Sequence, residues 1–164
     1  MRTRRSRLLA LLATLIVAAS LSAATNSVPL RVTAEVPSNC MIAVSDLAFG
    51  AYDPLARNAT QQLDGSANVR VLCTRSSRAT ITIDSGRNAV GNSRSLAGGA
   101  QHVAYQLYRD SGRTQKWGRG ADSLQFVSEG THKPQQLIVY GRIPPGQEVA
   151  SGVYTDVVTA TVDF

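Results

Sequence analysis

Charged side chains are scarce. Asp, Glu, Lys and Arg make up 17% of the 164 residues, against 43% hydrophobic, and a chain so apolar and weakly charged is not disordered throughout. Histidine and cysteine number two each. With Cys40 and Cys73 far apart in the chain and His102 and His132 in polar, loop-like contexts, neither a zinc site nor a redox centre fits, and both histidines are expected on the surface. No Gly-x-Ser-x-Gly elbow, P-loop or zinc-type histidine spacing occurs, so neither catalysis nor a cofactor is expected. Asp84 and Asp156 could be imagined as a carboxylate pair, but each reads better as an acid in a strand-end turn. After Ala24 no apolar run is long enough to cross a bilayer, and no ten-residue window reads as an amphipathic helix. The basic excess is also local. The net charge is +6, but Arg2, Arg4, Arg5 and Arg7 supply four of the positive charges, leaving 13 basic against 11 acidic residues elsewhere. A nucleic-acid partner is therefore not supported.

What is present begins with an address. A cationic stretch over 1–7, an apolar run over 8–19 and the small residues Ser22, Ala23 and Ala24 form the three regions of a secretory signal peptide. Residues 1–24 are read as that leader, cleaved after Ala24. The competing reading is a retained anchor, but the apolar stretch is broken by Thr14, Ser20 and Ser22 and no basic stop-transfer cluster follows. Export places two cysteines in an oxidising compartment, where an even number predicts one disulfide. Closing a loop of that size is worth about 3–4 kcal/mol in the chain-entropy model.

The remainder has the length of one ordinary domain and the periodicity of strands. Residues 68–73, 79–84, 103–109, 136–143 and 153–164 are rich in Val, Ile, Thr and Tyr and alternate with period two, the pattern of half-buried strands. Segments 41–44 and 124–127 are weaker candidates. Asp64-Gly65, Ser85-Gly86, Gly98-Gly99, Asp110-Ser111-Gly112 and Pro144-Pro145-Gly146 punctuate them. The polar stretch 111–135 reads as a long loop or an irregular hairpin. Together these predict an all-β sandwich.

The two ends of this domain are unusual. Ahead of it, over 25–38, Val28, Leu30, Val32, Ala34 and Val36 alternate with Arg31, Thr33 and Glu35, giving one apolar and one polar face. Pro29 falls on the polar side, which a strand end or edge tolerates. Pro37, Ser38 and Asn39 then break this segment from the domain. At the other end, the strand over 153–164 carries Val158, Ala160, Val162 and Phe164 on one face and runs to the last residue. It is expected to leave an unpaired edge, which invites pairing with another chain. A sandwich of this kind usually has about seven strands; here five are clear and two weaker. A spare strand in front and an open edge behind suggest β-strand addition between molecules, and such a head-to-tail contact, repeated without closing, makes a filament. The alternative is that 28–36 is the first strand of its own sheet.

Over residues 39–164 the chain resembles the spore coat protein U domain, shared by subunits of archaic, Csu-type chaperone–usher pili. The resemblance rests on Cys40; on Phe49-Gly50-Ala51-Tyr52-Asp53-Pro54; on Val71-Leu72-Cys73-Thr74; on Ile83-Asp84-Ser85-Gly86; and on Tyr105-Gln106-Leu107-Tyr108-Arg109-Asp110. Further on, Trp117-Gly118, Tyr140-Gly141-Arg142-Ile143-Pro144, and Pro145-Gly146-Gln147 followed by Gly152-Val153-Tyr154-Thr155-Asp156 complete it. Arg75-Ser76-Ser77-Arg78 departs from the family, where a glycine and a small turn are expected. The resemblance implies an incomplete immunoglobulin-like β-sandwich, completed by a donor strand from a neighbouring subunit. It implies identical or homologous subunits as head-to-tail partners. A periplasmic chaperone would hold the subunit and an outer-membrane usher would direct the strand exchange. The product would be a cell-surface pilus serving attachment and biofilm formation. Val28, Leu30, Val32, Ala34 and Val36 would form the donor face, and Val158, Ala160, Val162 and Phe164 one side of the acceptor groove. A Cys40–Cys73 bridge would fasten the start of the domain to an inner strand. The length leaves no room for a receptor-binding domain, which favours a shaft position over a tip. Two other readings are a secreted spore-coat-type structural protein and a carbohydrate-binding module using Tyr105, Tyr108, Trp117, Tyr140 and Tyr154. Aromatics in strands are more often core.

Overall fold

The computed structural model describes residues 24–164; the leader reading falls on residues outside these, Ala24 excepted. Two units separate, with the second beginning at Val36. In the first, the alternating segment forms no ladder: residues 24–35 have no regular secondary structure, and Val28, Leu30 and Val32 are 83–89% exposed. Alternation prepares a segment for a sheet, but a ladder also needs a partner strand, and among the described residues it has none.

The second unit contains β1 (Cys40–Val44), a single helical turn α1 (Arg57–Thr60), β2 (Leu63–Cys73), β3 (Arg78–Ile83), β4 (Ser95–Gly98), β5 (Gln101–Ala104), β6 (Gln106–Tyr108), β7 (Leu124–Val127), β8 (Gln135–Ile143) and β9 (Ala160–Asp163). All named pairings are antiparallel. One sheet runs β1-β2-β8-β6, a second runs β7-β3-β9, and β4 and β5 form a separate ribbon. This is an all-β, immunoglobulin-like sandwich. Its core follows from period-two alternation: Val69, Val71 and Cys73 of β2, with Val139 and Ile143 of β8, are buried with Ala79, Ile81 and Ile83 of β3. Trp117 is also buried, and its indole N–H donates to the Ile81 carbonyl at 3.2 Å.

The two sheets differ in length. β2 has eleven residues and β8 nine, but β3 has six and β9 four. Leu47 and Phe49, from the segment after β1, lie over the inner face of the long strands. Gly65 and Gly141, paired in register, make room for them. A Cβ on Gly141 would come within 2.7 Å of the Phe49 ring, so only glycine lets the ring down onto the sheet.

Several strand bounds depart from expectation. The strand expected over 153–164 is regular only at Ala160–Asp163; before it, Thr155 makes a single bridge to Ala97. Hydrogen bonds to the turn after β3 divert this stretch: Arg87 N–H donates to the Val157 carbonyl and Asp84 N–H to that of Thr159. The strand expected over 103–109 breaks at Tyr105, whose amide bonds the Arg94 carbonyl instead of a neighbouring strand. β4, Ser-Leu-Ala-Gly, is too short and small to show in the sequence pattern. His102 lies on β5 rather than in a loop, and both histidines are exposed. The segments 41–44 and 124–127 are strands β1 and β7.

Ile81 is fully buried at the centre of this packing. Ile81→Ala is expected to cost about 2–5 kcal/mol of unfolding free energy, whereas Val90→Ala, on an exposed turn, should change it by less than about 0.5 kcal/mol. Urea titration of both variants checks the contrast.

Candidate functional site

Two edge strands define the site. β9 has β3 on one side, and β1 has β2 on one side; among the described residues neither has a partner on the other. β1 runs antiparallel to β2 with Cys40 opposite Cys73, and β9 runs antiparallel to β3 with Thr80 opposite Asp163. Cys73 and Arg78 are joined by one short turn, so Cys40 and the end of β9 share one end of the sandwich. Val44 and the start of β9 share the other. Between the edges at that second end lies a cleft of about 320 Å³, lined by Val44, Leu47, Phe49, Val69, Val158 and Ala160, among others.

The β1 burial pattern shows what is uncovered. Cys40, Ile42 and Val44 have inward parity, and the first two are half-buried, but Val44 is 60% exposed. On the β9 side, Val158, Ala160 and Val162 are half-buried and packed against the core, while Phe164 is 55% exposed. The structure thus brings Val158 and Ala160 to the cleft, places Val162 on the same face further along, and sets Phe164 just past the strand. The segment carrying Val28, Leu30, Val32, Ala34 and Val36 is exposed throughout. Cys40 and Cys73 form the expected disulfide, tying the first residue of edge strand β1 to its register partner on β2.

A larger cleft of about 950 Å³ adjoins the first, sharing Leu47, Phe49, Leu96 and Asp156. It opens between segments 47–55 and 148–156. Leu55 on its rim is 95% exposed, and Val153, between lining residues Gly152 and Tyr154, is 83% exposed.

A polar network that sequence reasoning missed supports this wall. Arg94 is buried, donating to the carbonyls of Asp84 (2.8 Å), Ile83 (3.0 Å) and Trp117 (2.9 Å) and to the Gln106 side chain (2.6 Å). Burial pulls its pKa below the usual arginine value. The Tyr105 hydroxyl donates to the Asp156 carboxylate at 2.7 Å, and Asn88 N–H donates to the same group. Burial, then that carboxylate, pushes the Tyr105 pKa upward. Gly86 has φ +86°, and a Cβ there would overlap the Asp156 carboxylate. The Asp84 carboxylate accepts from Gly86 N–H (3.0 Å) and Thr159 N–H (2.9 Å). Both acids therefore pin the stretch before β9 to the turn after β3. Ile83-Asp84-Ser85-Gly86 and Tyr154-Thr155-Asp156 were visible as motifs, but nothing in their spacing says that they meet.

Trp117 and Tyr105 are core residues and present no aromatic surface; Tyr108, Tyr140 and Tyr154 are half-buried. Among the described residues no cluster of three metal-ligating side chains occurs, and no helix is long and apolar enough to cross a membrane.

Asp84 couples this arrangement to pH. Burial opposes its ionisation, but the amides of Thr159 and Gly86 outweigh it and hold the pKa below the ordinary carboxylate value. A depressed folded-state pKa gives stability that is present above the unfolded value of about 3.9 and lost as pH falls through the folded one. Asp84→Asn should lower the urea midpoint at pH 7 and flatten its decline below about pH 4, measured as midpoint against pH.

The comparisons with known proteins agree with this architecture. The model of the Spore Coat Protein U domain matches residues 26–161. Protein U of Myxococcus xanthus is 35% identical over 167 residues, covering 93% of this chain and 92% of that protein. Among solved structures, the chain is similar to one in the CsuC–CsuE chaperone–tip adhesion subunit pre-assembly complex from archaic chaperone–usher Csu pili of Acinetobacter baumannii. The TM-score is 0.57 at 18% identity, over 79% of this chain and 40% of that one. That likeness is one of fold, and the chain spans less than half the length of its match. The match of the family model along most of the sequence, joined by a relative similar almost from end to end, shows that this chain belongs to the Spore Coat Protein U domain family.

Proposed function

We propose that this protein is a structural subunit of an archaic chaperone–usher pilus, polymerising by donor-strand exchange. The observation that carries the reading is the apolar cleft between the edges of β1 and β9, unpartnered among the described residues, in a chain that also bears an exposed, alternating apolar segment. Val28, Leu30, Val32, Ala34 and Val36 form the donor face. Val158, Ala160, Val162 and Phe164 form one wall of the acceptor. Main-chain hydrogen bonds to a sheet edge supply affinity, and alternate side chains entering the cleft supply register. The route is the one that the resemblance to Csu-type subunits implies. A leader over 1–24 exports the chain, a periplasmic chaperone covers the open edge, an outer-membrane usher exchanges that cover for the next subunit's strand, and the assembled fibre serves attachment and biofilm formation. The absence of a catalytic constellation in the sequence suits a structural role.

The match to the Spore Coat Protein U domain supports a second reading, a secreted coat protein with the same domain and no chaperone-dependent polymerisation. One experiment addresses both. Two exported proteins are compared: residues 25–164, and residues 37–164 with a copy of 25–36 joined after Phe164 by a flexible linker. Under the pilus reading the relinked protein is a cooperative, stable monomer, while the natural order polymerises or melts low. A natural-order protein that is already a stable monomer, unimproved by relinking, would sink strand donation and leave the coat reading.

A further inference from the structure

The residues between the alternating segment and β1 are held to the domain. Asn39 N–H donates to the Thr74 hydroxyl oxygen (3.1 Å), Thr74 N–H donates to the Asn39 carbonyl (2.9 Å), and the Thr74 hydroxyl reaches the Pro37 carbonyl (3.3 Å). The Ser38 hydroxyl donates to that of Ser77 at 2.8 Å. The compact unit accordingly begins at Val36. Pro37–Asn39 is therefore a fixed part of the domain end that carries Cys40, Cys73 and the 74–77 turn, and not a free tether.

This has a consequence for assembly, resting on the donor-strand reading above. If Val36 is the last donor residue and Pro37 the first fixed one, no free residue lies between the donated strand and the body of the molecule that donates it. Each residue of extended chain spans at most about 3.6 Å, so the donor's body must abut the acceptor wherever the strand leaves the groove. The acceptor's own segment departs from its Cys40–Cys73 end, toward the molecule it completes in turn. Two bodies do not fit at that end, so the incoming body lies at the opposite one, where Val44 and Val158 open into the larger cleft. That end carries Leu55 and Val153, two of the most exposed large apolar side chains in the domain.

We propose that the larger cleft and its Leu55–Val153 rim form a second contact between successive subunits, receiving the Pro37–Asn39 and 74–77 end of the next copy. The occupant is a second copy of this chain, brought there by the length of its own connection. The surface is continuous with the acceptor groove through Leu47, Phe49, Leu96 and Asp156. The donated strand supplies the affinity, and the rim sets the angle between neighbours by restricting rotation about one joint. Tethering makes even a small contact effective, because the second binding event is intramolecular.

Cysteine cross-linking of full-length filaments tests the contact. Leu55→Cys and Arg75→Cys are made singly and together; both positions are exposed and outside the core, so folding and the Cys40–Cys73 bridge are retained. Leu55→Cys with Arg70→Cys, which puts the second thiol on the outer sheet face, measures chance collisions. After mild oxidation and complete denaturation, the Leu55–Arg75 pair should yield at least fivefold more covalent multimer than either single variant or the Arg70 control. Filaments that form normally but show no such excess would overturn the contact while leaving strand donation intact. A parent protein that makes no filaments overturns both. As a second readout, Leu55→Asp with Val153→Asp should leave filaments assembled but more flexible, with a shorter persistence length in electron micrographs; unchanged stiffness counts against the rim.

Discussion

The packing of a long sheet against a short one governs this molecule. β2 and β8 carry apolar inner faces over eleven and nine residues, while β3 and β9 cover them over six and four. Apolar surface left in water costs about 25 cal/mol per Å², so other parts of the chain are drawn in. Leu47 and Phe49 descend onto Gly65 and Gly141, and the segment leading into β9 closes over Tyr105. The cover is imperfect between β1 and β9 and between segments 47–55 and 148–156, and the two clefts are the remainder.

Polar groups decide where that remainder lies. Arg94 gathers three backbone carbonyls and an amide oxygen, satisfying acceptors that would otherwise be buried at a cost of about 1–3 kcal/mol each. Asp84 and Asp156 hold residues 155–159 against the turn after β3. That grip keeps Val158 and Ala160 facing the core while the backbone edge of β9 stays open. The Cys40–Cys73 bridge and the Thr74 hydrogen bonds do the corresponding work on the opposite wall, tying β1 and the residues before it to the body. The cleft is thus framed by two fixed rims.

A frame of this kind suits strand addition better than chemistry. Its lining is mostly apolar, and the Asp156 carboxylate in it is spent on a backbone amide and a tyrosine hydroxyl. The donor segment proposed for it is exposed and, among the described residues, unpaired. The fixed connection at Pro37–Asn39 extends the same logic from one molecule to the next. Under the proposed donation, a strand given without slack would carry its domain to the neighbour's surface, and the geometry of one subunit would become the geometry of a fibre.

Much of this could be read from the sequence because strand burial depends on period-two alternation, which is local. Val69, Val71, Ile81, Ile83, Val139 and Ile143 identify themselves as core in this way, and the same alternation gives the segment from Val28 to Val36 its apolar face. The disulfide was legible because two cysteines, in a chain whose N-terminus reads as an export leader, leave one pairing. What alternation could not reveal is where alternation is overruled. Residues 153–159 have the composition of a strand, yet hydrogen bonds from residues some seventy positions earlier hold them out of one. Tyr105 stands between β5 and β6, its amide bonded to the Arg94 carbonyl and its hydroxyl to the Asp156 carboxylate. Nothing in the sequence pattern marks Arg94, which only the fold surrounds with the carbonyls of Ile83, Asp84 and Trp117. These outcomes depend on contacts between residues distant in the chain, so only the folded structure decides them, and with them the position and shape of the groove.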